Sequence, residues 1–158
     1  MIMSIKAIFT RYTLALLFLT SLSLNVQAEQ ELPFTIEPIT SFDEPWAMTF
    51  LPDGQMLVTE KKGRLLVVDT EGNKRNVNGL ADVGYGGQGG LGDVALHPNF
   101  ATNGLVYLSY VETGNDGTRG AAVGRGKLDL EGRRPTLTGF EVIWRQYPKV
   151  LGYGHYGH

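Results

Sequence analysis

The sequence predicts an all-β fold of short antiparallel strands, and three observations predict it. Helix-type periodicity is poor after residue 29, while short β-type runs recur between turn residues. Glycine accounts for 21 of 158 residues, about twice the usual share. It follows no collagen-like period, so it marks many tight turns. A unit of apolar strand, proline turn, glycine and second β-rich strand also occurs twice, with Pro52 falling on Pro98 at an offset of 46 residues.

The first 28 residues read as a targeting segment. Lys6 and Arg11 give a basic start, and residues 12–24 form an apolar stretch shorter than the roughly 20 residues needed to span a bilayer. Asn25-Val26-Gln27-Ala28 then places small residues at positions −3 and −1 of a cut after Ala28. These are the three parts of a secretory signal peptide, so the expected location is periplasmic or secreted. A buried N-terminal helix is the alternative, and the abrupt polar turn at Glu29-Gln30-Glu31 argues against it. Loss of Lys6 and Arg11 from the 14 basic side chains leaves 12 against 16 acidic ones, a net charge of −4. That sign excludes a nucleic-acid footprint. No second long apolar run suggests a membrane span in the mature chain. With no cysteine there is no disulfide, thiolate zinc site or cysteine nucleophile.

Residues 29–158 then read strand by strand. Residues 46–50 form a strand closed by Leu51-Pro52-Asp53-Gly54, in which Pro52 presets φ, Asp53 bonds backbone groups ahead and Gly54 accepts positive φ. Residues 55–59 and 64–69 follow, separated by the turn Glu60-Lys61-Lys62-Gly63 and ended by Thr70-Glu71-Gly72-Asn73. Three such strands cannot hide both faces alone. The second unit has strands at 91–96, 105–110 and 121–130, a longer turn at 97–104, and a fourth strand at 140–144. Several strands per unit with a period in the forties are the mark of a β-propeller blade, which buries its faces only against neighbours. The competing reading is two unrelated meanders in a sandwich. At 46 residues per unit the mature chain holds about two to three blades, so the expected fold is a partial propeller, the N-terminal portion of a longer one. Such a piece would expose strand edges, and poor solubility is expected of it.

Two loops could carry chemistry. Gly84-Tyr85-Gly86-Gly87-Gln88-Gly89-Gly90-Leu91-Gly92-Asp93 has glycines on both sides of Gln88, which let backbone approach a flat ligand closely, with an amide side chain projecting from its middle. It is neither a P-loop nor a dinucleotide fingerprint, since no Gly-Lys-Ser/Thr and no helix follow; the plainer reading is a flexible inter-blade loop. Gly154-His155-Tyr156-Gly157-His158 sets a histidine, whose ordinary pKa of about 6.5 suits a general base, on a tight loop. His155 with His158 lacks a third ligand, so no metal site is assigned. Solvent-facing loop histidines are the competing reading. Among the carboxylates, Asp53 reads as a turn residue, Asp43 and Glu44 as surface groups, and Glu60 and Asp93 as caps of backbone N–H groups. His97 reads as a turn residue, and Trp46, Tyr107 and Tyr110 as packing.

The motifs Pro45-Trp46-Ala47-Met48-Thr49-Phe50-Leu51-Pro52-Asp53-Gly54, Gly87-Gln88-Gly89-Gly90-Leu91, Asp93-Val94-Ala95-Leu96-His97-Pro98 and Val106-Tyr107-Leu108-Ser109-Tyr110 together resemble the soluble PQQ-dependent sugar dehydrogenases, the glucose/sorbosone dehydrogenase family. Gly154-His155-Tyr156-Gly157-His158 is similar to that family's histidine loop. The resemblance spans residues from about 34 to 158. It implies a six-bladed β-propeller with pyrroloquinoline quinone (PQQ) over the central channel and a calcium ion on the cofactor. It implies His155 as the catalytic base toward the sugar's anomeric hydroxyl and Gln88 as a cofactor-binding loop residue. An aldose substrate, an external electron acceptor and, for full-length relatives, a dimer as an open alternative belong to the same implication. One branch of the family has an acidic residue before the histidine; Gly154 stands there, which points to the broader-specificity branch. The family's calcium ligands and the basic residues for the cofactor carboxylates belong to later blades, and Arg64, Arg119 and Arg125 match none of them. Activity of this portion alone is therefore not expected. Two other functions compete: a non-enzymatic extracellular propeller that binds protein or glycan, and a lactone or ester hydrolase, which would need channel carboxylates that the sequence does not identify.

Overall fold

In the computed structural model, residues 33–156 are described; the segment read as a signal peptide and His158 lie outside them. The chain divides into two units, Met1–Glu37 and Pro38–His158, and of the first only residues 33–37 are described, without strand or helix. The second unit is all-β. It holds β1 (Pro45–Phe50), β2 (Met56–Glu60), β3 (Arg64–Val68), β4 (Lys74–Asn76), β5 (Leu91–Leu96), α1 (Phe100–Asn103), β6 (Leu105–Thr113), β7 (Arg119–Asp129) and β8 (Thr136–Arg145). Two antiparallel sheets result, ordered β1-β2-β3-β4 and β5-β6-β7-β8, an arrangement consistent with a partial propeller.

The two sheets repeat in detail, which speaks against unrelated meanders. β1 and β5 are both six residues long and start 46 residues apart. Each carries a register shift at the same place, between Pro45 and Met48 in β1 and between Leu91 and Val94 in β5. A bulge strands one backbone amide, and a hydroxyl from the neighbouring strand accepts it in both sheets. Ala47 N–H donates to Thr59 Oγ1 at 3.0 Å, and its counterpart Asp93 N–H donates to Ser109 Oγ at 2.8 Å. The fully buried Thr59 goes further and donates to the Gly92 carbonyl of the next sheet at 2.7 Å. One hydroxyl thus closes a bulge and joins two sheets.

Burial explains the contrasting strand sequences. Leu57, Leu65 and Val67 face the second sheet and share one core with Val94, Val106, Leu108, Tyr110 and Ala122. Val58, Leu66 and Val68 form a second cluster on the opposite face, with Phe42 and Met56 packed against it. β3 is buried on both faces, so Leu65-Leu66-Val67-Val68 reads as a continuous apolar run. β6 buries one face over most of its length, so Val106, Leu108 and Tyr110 alternate with half-exposed Tyr107 and Ser109.

The differences from expectation have local causes. β4 was not foreseen, because Lys74-Arg75-Asn76 is wholly polar and pairs on one side as an edge strand. β8 starts at Thr136 rather than 140, since Thr136, Leu137 and Thr138 pair with β7 and one buried leucine between polar neighbours and Gly139 leaves little strand pattern. β7 starts at Arg119 rather than 121. The 97–104 turn contains the one-turn helix α1, closed by Gly104 at φ 65°. His97 is a turn residue as expected, its Nδ1 accepting the Asn99 N–H at 3.0 Å and its ring stacking on Tyr107. Glu60 and Asp93 accept the backbone amides of Asp43 and Val94, as the cap reading holds. Tyr110 is core, whereas Trp46 remains 43% exposed.

Thr59→Val should remove the acceptor of Ala47 and the donor to Gly92 while keeping the volume. Denaturant unfolding should show a loss of about 3 kcal/mol. Thr59→Ser, which keeps the hydroxyl, should lose less than half of that.

Candidate functional site

Strand direction gathers one set of connections at a single end of the two sheets. β2 ends and β3 starts there, as do β6 and β7, and the segments after β4 and β8 begin there. Gln88 lies in the segment between β4 and β5, and His155 in the segment after β8, both exposed. The fold brings these two residues together from 67 positions apart: the His155 N–H donates to Gln88 Oε1 at 2.9 Å.

Each loop has a visible reason for its shape. Gly86 and Gly89 exchange backbone hydrogen bonds of 3.0 and 2.9 Å, which closes a tight turn with Gln88 near its tip. Gly87 adopts φ 58°, and a Cβ there would lie 2.5 Å from Tyr153 Cβ and 2.6 Å from its carbonyl oxygen. Only glycine combines that dihedral with so close a neighbour. The Gln88 N–H donates to the Tyr153 carbonyl at 2.7 Å, completing a two-point attachment between the loops. His155 itself sits at φ 64°, a left-handed conformation uncommon outside glycine. Tyr156 holds the loop from below, 8% exposed in a cluster with Val111 and Ala121, its hydroxyl donating to the Gly152 carbonyl at 3.0 Å.

Cationic side chains brace this rim. Lys61 Nζ donates to the Gly87 carbonyl and lies 5.6 Å from the centre of the Tyr85 ring. The Arg119 guanidinium stacks 4.2 Å over Tyr153 and donates to the carbonyls of Gly84 and Tyr85 at 3.1 and 3.2 Å. Its backbone pairs with Val150 in both directions. Arg119 thus serves the loops. Lys149 and Arg145 both reach Glu112, at 2.6 and 2.9 Å, and tie the segment after β8 to the end of β6. The hydrogen bond from Arg145, with Lys149 beside it, holds the Glu112 carboxyl below its usual value of 4.5.

The sequence pointed to Gln88 and His155 but not to Arg119, Tyr153, Tyr156 or Lys61. Apart from the Tyr156 bond to Gly152, their partners lie tens of residues away, so spacing carries no signal. The one readable hint was the density of glycine around Gln88, which announces a close backbone neighbour without naming it. The carboxylates Asp43 and Glu44 are exposed, Asp43 pairing with Lys62 and Arg64 and Glu44 accepting the Tyr85 hydroxyl. No group of three or more His, Asp or Glu side chains placed to hold a metal occurs among the described residues. No described helix is long and apolar enough to cross a membrane.

Residues 42–158 match the family model for glucose/sorbosone dehydrogenase. The chain belongs to this family. Among curated proteins it is 42% identical over 117 residues to the aldose sugar dehydrogenase YliI of Escherichia coli strain K12, covering 73% of this chain and 31% of that protein. In solved structures it is similar to a glucose dehydrogenase, with 39% identity, a TM-score of 0.69, and coverage of 73% of this chain and 33% of the other. It is also similar to the apo-form of the soluble aldose sugar dehydrogenase of Escherichia coli, with 43% identity, a TM-score of 0.63, and coverage of 68% and 31%. The PQQ-bound aldose sugar dehydrogenase of Streptomyces coelicolor shares the fold at 22% identity, with a TM-score of 0.62 and coverage of 72% and 34%. The chain spans about a third of the length of these relatives.

Gly87→Ala should push Tyr153 away and raise amide exchange across residues 152–156. Gly132→Ala, at φ 74° with nothing within 4 Å of its Cβ, should cost about 1 kcal/mol of stability and leave that segment unchanged. Glu112 titrates at a lower pH folded than unfolded, so its stabilisation is complete above the unfolded value near 4.5 and is lost as the pH falls through the lower folded value. Glu112→Gln should therefore flatten the stability curve in that window, as read from urea midpoints against pH.

Proposed function

We propose that the chain is the N-terminal portion of an exported quinoprotein that oxidises aldose sugars to lactones. The single observation that carries this reading is the hydrogen-bonded contact between the Gln88 turn and the His155 loop at one end of the paired sheets. Family membership supports a sugar dehydrogenase, and the Streptomyces coelicolor neighbour was solved with PQQ bound. The whole protein is read as a six-bladed propeller with a calcium ion at the cofactor and an external electron acceptor.

The residues present fit one wall of a site for a flat quinone. Gln88 is exposed on the 86–90 turn, whose glycines pack against Tyr153, Tyr156 and Lys61 of the chain itself, and exposed His155 stands beside it. His155 and Gln88 with the neighbouring glycine backbone would hold that edge. No group of three or more His, Asp or Glu among the described residues could hold calcium, so calcium is assigned to none of their side chains. When bound, the quinone supplies a two-electron acceptor.

The chain's own contribution is proton handling and orientation. The His155 imidazole takes the proton of the anomeric hydroxyl while the anomeric C–H leaves as hydride, which yields the lactone. Gln88 has its carboxamide oxygen engaged by the His155 N–H, so what it offers a ligand is the donor half, Nε2. Gly154 lies against the Gln88 carboxamide, where a Cβ would meet Oε1 at 3.0 Å.

In the complete protein reconstituted with PQQ and calcium, His155→Gln should lower sugar-dependent dye reduction by about 10²–10⁴-fold with melting unchanged. Undiminished dye reduction would remove His155 from the base role and the reading with it.

A further inference from the structure

We infer that Gln88 is the positioning residue for His155, acting through the His155 backbone rather than only through a ligand. This deepens, and rests on, the reading of His155 as the base. Three features lead to it. First, Gln88 engages the histidine loop twice in three residues: its N–H donates to the Tyr153 carbonyl at 2.7 Å, and its Oε1 accepts the His155 N–H at 2.9 Å. The carboxamide completes side by side what a second backbone strand would otherwise provide. Secondly, His155 is held at φ 64°, which a residue with a Cβ does not adopt by default. Such a conformation persists where its surroundings over-determine it. The 2.9 Å bond falls on the amide of that very residue, and so fixes the direction in which its side chain leaves the backbone. Thirdly, the two loops pack closely on either side of the contact. A Cβ at Gly154 would meet Gln88 Oε1 at 3.0 Å, and one at Gly87 would meet Tyr153.

The imidazole is exposed, so it has no packed cavity to define its direction. Tyr156 anchors the residue after it, in the cluster with Val111 and Ala121. Gln88 anchors the residue itself. The chain length of the side chain matters: asparagine would set the same carboxamide one methylene short of the His155 amide. Glutamate keeps both the reach and the acceptor.

The test is amide solvent exchange by NMR on the full chain, in the wild type and in Gln88→Leu and Gln88→Glu variants, with the β6 amides of Leu108 and Tyr110 as internal references. The His155 amide should exchange about ten-fold faster in Gln88→Leu and stay within about two-fold of the wild type in Gln88→Glu, with the β6 amides unchanged throughout. Rescue by glutamate separates positioning from general destabilisation, which would move the β6 amides too. Unchanged His155 exchange in Gln88→Leu, or equally fast exchange in both variants, would overturn the inference. So would a wild-type His155 amide exchanging at a random-coil rate beside protected β6 amides. No cofactor, sugar or turnover enters this experiment. A failed base assignment shows instead in dye reduction by the complete protein, so the two failures are distinct.

Discussion

Two hydrogen bonds, from the Gln88 amide to the Tyr153 carbonyl and from the His155 amide to the Gln88 carboxamide, hold together segments that follow different sheets. The proposed chemistry of this chain depends on that attachment. Without it, an exposed glutamine and an exposed histidine would move on separate loops. The attachment in turn needs glycine at 87, where φ is 58° and a Cβ would lie 2.5 Å from Tyr153 Cβ. It also needs the two sheets in fixed register. That register is supplied by the shared core and by Thr59, whose hydroxyl satisfies the β1 bulge and a carbonyl of the second sheet together.

The sequence carried the fold where side chains alternate or run continuously apolar. Leu65-Leu66-Val67-Val68 signalled a strand buried on both faces, and residues 105–110 signalled one buried face, because burial acts directly on side-chain pattern. The 46-residue offset was legible from Pro52 and Pro98, and the structure extends it to a bulge and a bulge-capping hydroxyl in each sheet. β4 was silent because its stability comes from backbone pairing to β3, which leaves no mark on Lys74-Arg75-Asn76. At the rim, Gln88 and His155 stood out by the glycines around them and by a family resemblance. Their braces did not, because Arg119 over Tyr153 and Lys61 against Gly87 are tertiary contacts between residues of ordinary type.

The rim has an electrostatic character of its own. Lys61, Arg119 and Lys149 spend their hydrogen bonds on loop carbonyls or on Glu112, so they stiffen the edge on which a ligand would rest. Glycine supplies close approach, cations supply bracing, and Tyr156 supplies a buried foot for the histidine loop. This division lets a short exposed loop present an imidazole in one direction without a pocket to confine it.

The most direct measurement is a set of NMR distance contacts in the labelled chain. The account predicts nuclear Overhauser contacts from the His155 amide proton to the Gln88 γ-protons and from the Gln88 amide proton to the Tyr153 α-proton. Absence of both, with contacts between the Tyr156 ring and Val111 retained, would show a folded chain whose two loops do not meet and would contradict it.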